Sequence, residues 1–193
     1  MNIKTIAAIA VCVIIAMWGI GKYNSMVTEG ENVNTAWGQV ENQYQRRMDL
    51  IPNLVATVKG YAAHEKETFE AVIAARAKAT QITIDPSNAT PEQLAAYQNA
   101  QGELSQALGR LLAVSESYPD LKANQNFMAL QEQLEGTENR ITVARNQFNE
   151  TAKGFNTLIR KFPNNIIANI FGFEKKPYFE AEAGAEKAPT VEF

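Results

Sequence analysis

The sequence predicts an all-α protein: an N-terminal transmembrane helix followed by an up-down-up-down antiparallel four-helix bundle with long helices. Three observations predict it. Thr5 to Gly21 is a run of 17 residues without a charge. Beyond it, apolar residues recur at alternating spacings of three and four through most of the chain. No stretch of alternating polarity signals a strand.

The charge-free run comes first. At about 1.5 Å per residue it spans about 25 Å, the short end of a membrane crossing. Thr5, Ile6, Ile9, Val13, Ile14, Trp18 and Gly21 mark its length. Lys4 and Lys22 bound it and can snorkel, and Trp18 and Tyr23 sit where an aromatic belt lies. A cleaved signal peptide is the competing reading, but its apolar region is shorter, roughly 7 to 15 residues. A retained anchor is therefore expected. Two positive charges precede the run, the amino terminus and Lys4, against Lys22 close behind it. That margin predicts a single-pass protein with a cytoplasmic N-terminus and its domain on the extracytoplasmic side. Cys12 lies inside the run, with apolar residues continuing to Ile20, and is read as lipid-facing.

Four helical stripes follow. The first is Val33, Trp37, Val40, Tyr44, Met48 and Ile51, closed by Ile51-Pro52, since Pro interrupts a helix and restrains the residue before it. The second is Val55, Val58, Ala62, Glu65, Phe69, Val72, Arg76 and Ala79, fading at Ile82 to Pro86. Thr90-Pro91-Glu92-Gln93 offers an N-cap, a Pro at the first position and a capping-box Gln for the third. That helix carries Leu94, Tyr97, Gln101, Leu104, Leu108, Leu111, Ser115 and Tyr118, and ends at Tyr118-Pro119. The fourth, Asn124 to Phe162, keeps the alternation from Phe127 to Phe162 without a slip. Its stripe implies helix partners and a left-handed supercoil. The expected organisation is an anchor over residues 1–22, a bundle over 23–173 and a disordered acidic tail over 174–193.

Composition narrows the chemistry. The chain has 193 residues, one Cys and one His, so neither an intrachain disulfide nor a Cys/His metal site can form. Net charge is −3, and Glu180 to Phe193 carries four Glu and one Lys, so Met1 to Phe179 is neutral. No basic field exists to bind nucleic acid. No cofactor is expected, and no Ser/His/Asp order, GxGxxG or phosphate loop occurs.

Residues that could carry chemistry are few. His64-Glu65, with Asp49, is the one candidate for a hydrolase, but neighbours on a helix point about 100° apart. Glu65, Arg76 and Arg140 are expected as polar residues in the helix seams, paired across the interface and setting register. Arg46-Arg47 reads as a solvated face. Asn149 and Asn156 lie seven residues apart on one flank of the fourth helix and could bond across helices or to a second subunit. After Pro163, Ile166, Ile167, Ile170, Phe171 and Phe173 form a short apolar segment followed by Lys175 and Lys176. Three reversals return the fourth helix toward the membrane, so this segment is expected at the lipid surface, with both lysines meeting anionic head groups. Closing the bundle end is its alternative role.

Arg46 to Val55, Thr57 to Tyr61, His64-Glu65 and Ala75-Arg76-Ala77 together resemble the signature of the LemA family. Glu116, Tyr118 to Asn124, Thr137 to Ile141, Ala144-Arg145, Asn149, Phe155-Asn156, Phe162-Pro163 and Phe171-Gly172-Phe173 continue the resemblance. It covers about Tyr23 to Phe179. Family members often carry Tyr where this chain has Phe148 and Phe155. The resemblance implies a bacterial protein with one N-terminal membrane helix and a helical bundle, and implies no enzyme activity or cofactor. The expected function is a membrane-anchored scaffold, with membrane lipid, a protein partner and a second copy of the chain as candidate partners. A membrane-shaping protein is the alternative.

Overall fold

The structure, a computed structural model, describes residues 2–180, which are helical along most of their length, with no strand among them. The first helix, α1 (Ile3–Tyr61), has 59 residues and is about 88 Å long. Its first part is the apolar run, none of which is buried against protein. The same helix continues without a break into the folded domain.

The expected break at Pro52 is therefore corrected. Pro52 lies on the exposed side of α1, and its missing N–H leaves the carbonyl of Met48 without its helical donor. Arg76 Nε donates to that carbonyl at 3.3 Å. Val55 and Val58 thus belong to α1, and the chain reverses over Ala62 to Glu65. Tyrosine hydroxyls hold this end of the molecule. Tyr61 accepts from Asn124 Nδ2 at 2.9 Å, and Tyr118 donates to Glu65 at 3.1 Å. That bond raises the Tyr118 phenol above its usual range.

Helix α2 (Lys66–Gln81) is short, 16 residues, and turns Phe69, Val72 and Ala79 inward. In the loop after it, Asp85 accepts from the Ser87 backbone N–H and from Asn88, which holds its carboxyl below the usual range. Helix α3 (Pro91–Val114) starts at the capping box the sequence predicts, with Thr90 and Gln93 bonding reciprocally. A 3-10 turn (Ser115–Ser117) and α4 (Pro119–Lys122) lead to Asn124, whose side chain caps α5 (Gln125–Arg160). The last helix, α6 (Asn164–Phe171), ends on Gly172 at φ 71°, a left-handed conformation that favours glycine.

α1 and α5 run antiparallel in one unbroken register. Gly30 faces Phe155, Trp37 faces Phe148, Arg47 meets Glu138 and Tyr61 meets Asn124. The residue numbers of every one of these pairs add to 185. The same register sets buried Met26, Val33, Tyr44, Ile51 and Val58 opposite buried Ile159, Ala152, Ile141, Leu134 and Phe127. α2 and α3 form the second pair, tied by Lys78 and Glu103 at 2.7 Å. α3 meets α1 through side chains: Tyr97 packs on Trp37 and Tyr44, with ring centroids 5.4 Å apart in both pairs.

The core has two parts. The distal part draws on α1, α2, α3 and α5, from Met48 and Val72 to Leu104 and Phe127. The proximal part, from Met26 to Tyr44 and Ile141 to Ile159, contains no residue of α2. At about 24 Å, α2 is too short to reach it. Beyond the end of α2, the loop residues Ile82, Ile84 and Ala89 pack on this part, as do α6 and the extended segment after it, whose Phe179 is buried in that cluster. Residues 174–180, expected as the start of a disordered tail, are thus docked on the helices, and residues 181–193 lie outside the described ones.

Candidate functional site

Three groups of residues are candidates: the base of α1 with α6, a buried arginine in mid-bundle, and a row of carboxamides that grips the extended segment.

At the base, the anchor residues Thr5, Ile6, Ile9, Val13, Ile14, Trp18 and Gly21 are all exposed on α1. α6 lies against α1 where the apolar run ends. Ile167 Cδ1 is 3.6 Å from the place a Cβ on Gly19 would occupy. The Tyr23 ring packs on Phe171 at 4.7 Å and on Phe173 at 5.7 Å. The five apolar residues expected on one face divide. Ile166, Ile170 and Phe171 stay exposed, joined by Phe162, while Ile167 and Phe173 turn toward the core. Lys22, Arg160, Lys161 and Lys175 flank this apolar surface in the chain. Lys176 does not join them, which corrects the expectation of two head-group lysines. Its ammonium donates to the carbonyls of Pro86 and Ser87, and burial pushes its pKa down.

In mid-bundle, Arg47 is 1% exposed, whereas a solvated arginine was expected. Its NH1 donates to Glu138 at 2.8 Å and to Ser105 at 2.6 Å, and its NH2 donates to the side chain and backbone carbonyl of Gln101. Its guanidinium also lies over the Tyr44 ring, 5.1 Å from the centroid. One side chain so joins α1, α3 and α5. The sequence carried a signal for it: Gln101 is a polar position on the third stripe, and it is buried against Arg47.

The three expected seam residues take other roles. Glu65 is the N-cap residue of α2 and accepts from Tyr118. Arg76 serves the Met48 carbonyl. Arg140 is exposed, donates to Thr137 Oγ1 at 3.2 Å and lies over Gly136. The expected pairing of Glu65 or Arg76 with a charge across a seam is corrected: their partners are a hydroxyl and a carbonyl. His64 is exposed at the reversal, and Asp49 accepts from Gln45 at 2.8 Å, so His64, Glu65 and Asp49 do not converge.

The carboxamides grip a peptide backbone. Asn156 accepts from the N–H of Lys176 and donates to its carbonyl, both at 2.8 Å. Asn149 does the same for Phe179, both at 2.9 Å. Gln98, on α3, does so for Glu180 at 2.8 and 3.2 Å. The spacing explains the match. Seven helical residues rise about 10.5 Å, and three extended residues span about 10 Å. Asn149 and Asn156 therefore reach peptide units three residues apart. The Phe179 ring stacks on Trp37 at 5.8 Å and 8° and meets Phe148 edge-on, with Arg145 over it at 4.9 Å.

The LemA family model matches residues 36–193. The chain is 30% identical over 187 residues to magnetosome protein MamQ 2 of Paramagnetospirillum magneticum, covering 88% of this chain and 68% of that protein. Magnetosome protein MamQ of Magnetospirillum gryphiswaldense is 29% identical with the same coverage. Protein LemA of Metamycoplasma hominis is 23% identical over 162 residues, covering 84% of this chain and 70% of that protein.

Proposed function

From the premise that this chain belongs to the LemA family, and is a membrane-associated helical protein, we propose that it is a non-catalytic interaction module held at the bacterial inner membrane by α1. The carrying observation is the use made of its buried and half-buried polar groups. Arg47, Asn149 and Asn156 join helices to one another or to the extended segment. A catalytic centre instead aims such groups into a substrate pocket. Here the shape and its outer surfaces are the product of the fold. Carbonate extraction of native membranes tests the anchor: the protein stays in the pellet, and a mature N-terminus after Gly21 would remove that part of the reading. Cross-linking in those membranes tests the module by recovering discrete partners.

A second reading has its own observation. Ile166, Ile170 and Phe171 are exposed beside the end of the apolar run, which suits insertion into the lipid surface and a membrane-shaping role. The magnetosome relatives are compatible with either role. Deformation of liposomes by the reconstituted full chain separates the two.

For orientation, the charges around the run favour an extracytoplasmic bundle. Lys22, Arg160, Lys161 and Lys175 add positive charge on the bundle side and favour the reverse. Labelling an Asp120→Cys variant in intact cells with an impermeant maleimide decides: labelling places the bundle outside, and protection places it inside.

A further inference from the structure

We propose that the cavity beside the extended segment binds the phosphate of an anionic lipid headgroup at its membrane end, through Arg160, Lys175 and Tyr178. This rests on the membrane-anchored reading above and names the lipid chemistry that meets the bundle.

The cavity lies between the start of α3, the end of α5 and the segment after α6, and measures about 350 Å³. That is the small end of the range for ligand sites, about 300–1,000 Å³, and leaves room for a polar headgroup. Asn156 assembles its donors. It bonds the N–H and the carbonyl of Lys176, which places the preceding Lys175 beside α5. Its Nδ2 also donates to the Tyr178 hydroxyl at 2.9 Å. A hydroxyl that accepts keeps its own proton to donate. Arg160 stands one turn further along α5, on the same flank as Asn156. Arg160, Lys175 and Tyr178 all line the cavity. Among the described residues, neither Arg160 nor Lys175 has an ion-pair partner. Two such cations and a hydroxyl proton on one concave surface suit a phosphate, whose oxygens accept several charge-assisted hydrogen bonds. The carboxylate among the described lining residues, Glu180, belongs to the far end, where its backbone bonds Gln98. Five extended residues, about 16 Å, separate it from Lys175.

Depth identifies the source of the phosphate. In the register of α1 and α5, Ile159 opposes Met26, so Arg160 stands level with Ser25. Ser25 is four residues past Gly21, where the apolar run ends, a rise of about 6 Å. Headgroups occupy about 5–8 Å on each side of the hydrocarbon. With α1 spanning the bilayer, Arg160 is therefore held among the headgroups, where lipid phosphates are concentrated.

Native mass spectrometry of the full-length protein in a neutral detergent reads the bound lipid directly. The probes are phosphatidylglycerol, phosphatidylcholine and soluble glycerol 1-phosphate. Retention of one phosphatidylglycerol is expected, in preference to phosphatidylcholine, whose ammonium cancels the phosphate charge. Arg160→Gln with Lys175→Gln should weaken it by about thirty-fold, which is roughly five-fold for each cation. Tyr178→Phe should weaken it less. Lys22→Gln with Lys161→Gln removes the same charge outside the cavity and should leave retention unchanged. All four cations are exposed, so both double variants should keep the wild-type unfolding temperature. Equal losses in the two double variants overturn the site, since the lipid then answers to net charge alone. So does equal retention of phosphatidylcholine, and so does no retention of either lipid. Glycerol 1-phosphate bound as tightly as phosphatidylglycerol overturns the lipid source. Carbonate extraction keeps the two readings apart. A chain that stays in the pellet without preferring phosphatidylglycerol loses this site and keeps the anchored module; a chain that is extracted yet retains phosphatidylglycerol does the reverse.

Discussion

Arg76 Nε donates to the carbonyl oxygen of Met48 at 3.3 Å. In an unbroken helix that oxygen accepts from residue 52, which here is Pro52 and has no N–H. An arginine from the next helix thus repairs the defect, and α1 passes through its proline.

The repair makes Arg76 and Pro52 energetically coupled. Arg76→Ala should destabilise the protein by about 1–3 kcal/mol, the cost of leaving a partly buried carbonyl unserved. In a Pro52→Ala background the residue 52 N–H returns, and the same change should cost less. Denaturant unfolding of the four proteins of this cycle measures the difference. Equal costs in both backgrounds would show that Arg76 acts by packing alone.

Arg47 should be the most sensitive polar residue of the bundle. Arg47→Ala strands Gln101 and Glu138 and should cost about 3–5 kcal/mol. Glu138→Gln should cost less than about 1 kcal/mol, because the Glu138 side chain is 39% exposed and water replaces the lost charge contact. Thermal unfolding ranks the two variants. A larger loss for Glu138→Gln would contradict the burial asymmetry.

The extended segment should open before the bundle does. Asn149→Ala and Asn156→Ala each delete two hydrogen bonds to its backbone. Hydrogen exchange at Lys176 and Phe179 should accelerate while α1 and α5 keep their protection. Phe179→Ala should go further, at about 3–5 kcal/mol, since it empties the Trp37 socket. Unchanged exchange in the asparagine variants would mean that the ring alone holds the segment.

How the sequence encodes this fold is uneven. The stripes on α1 and α5 are legible because one register, summing to 185, runs their whole contact. The break between the first two helices was not. Apolar spacing continues through Ala62, Glu65 and Phe69 across the true reversal, so a reversal that preserves phase leaves no trace in periodicity. Pro52 drew the boundary instead, because its repair comes from Arg76, 24 residues away. Arg47 was hidden by its charge, although Gln101 marked the facing helix. Asn149 and Asn156 were visible as a heptad pair. Their partner was not, since an extended chain gripped by side chains has no periodic signature of its own.

The proposal that α1 holds the bundle at the membrane, with the exposed face of α6 at the lipid surface, is the centre of the functional account, and an environment-sensitive dye tests it most directly. Ile170 is 68% exposed on α6, and Met128 is 48% exposed at the opposite end of the bundle. Each is replaced by Cys in full-length Cys12→Ser protein, labelled with the dye NBD and reconstituted into anionic vesicles. The account predicts blue-shifted emission at position 170, quenched by a lipid-chain quencher, with water-like emission at position 128. Water-like, unquenched emission at position 170 would contradict it and leave α6 as a plug for the bundle end.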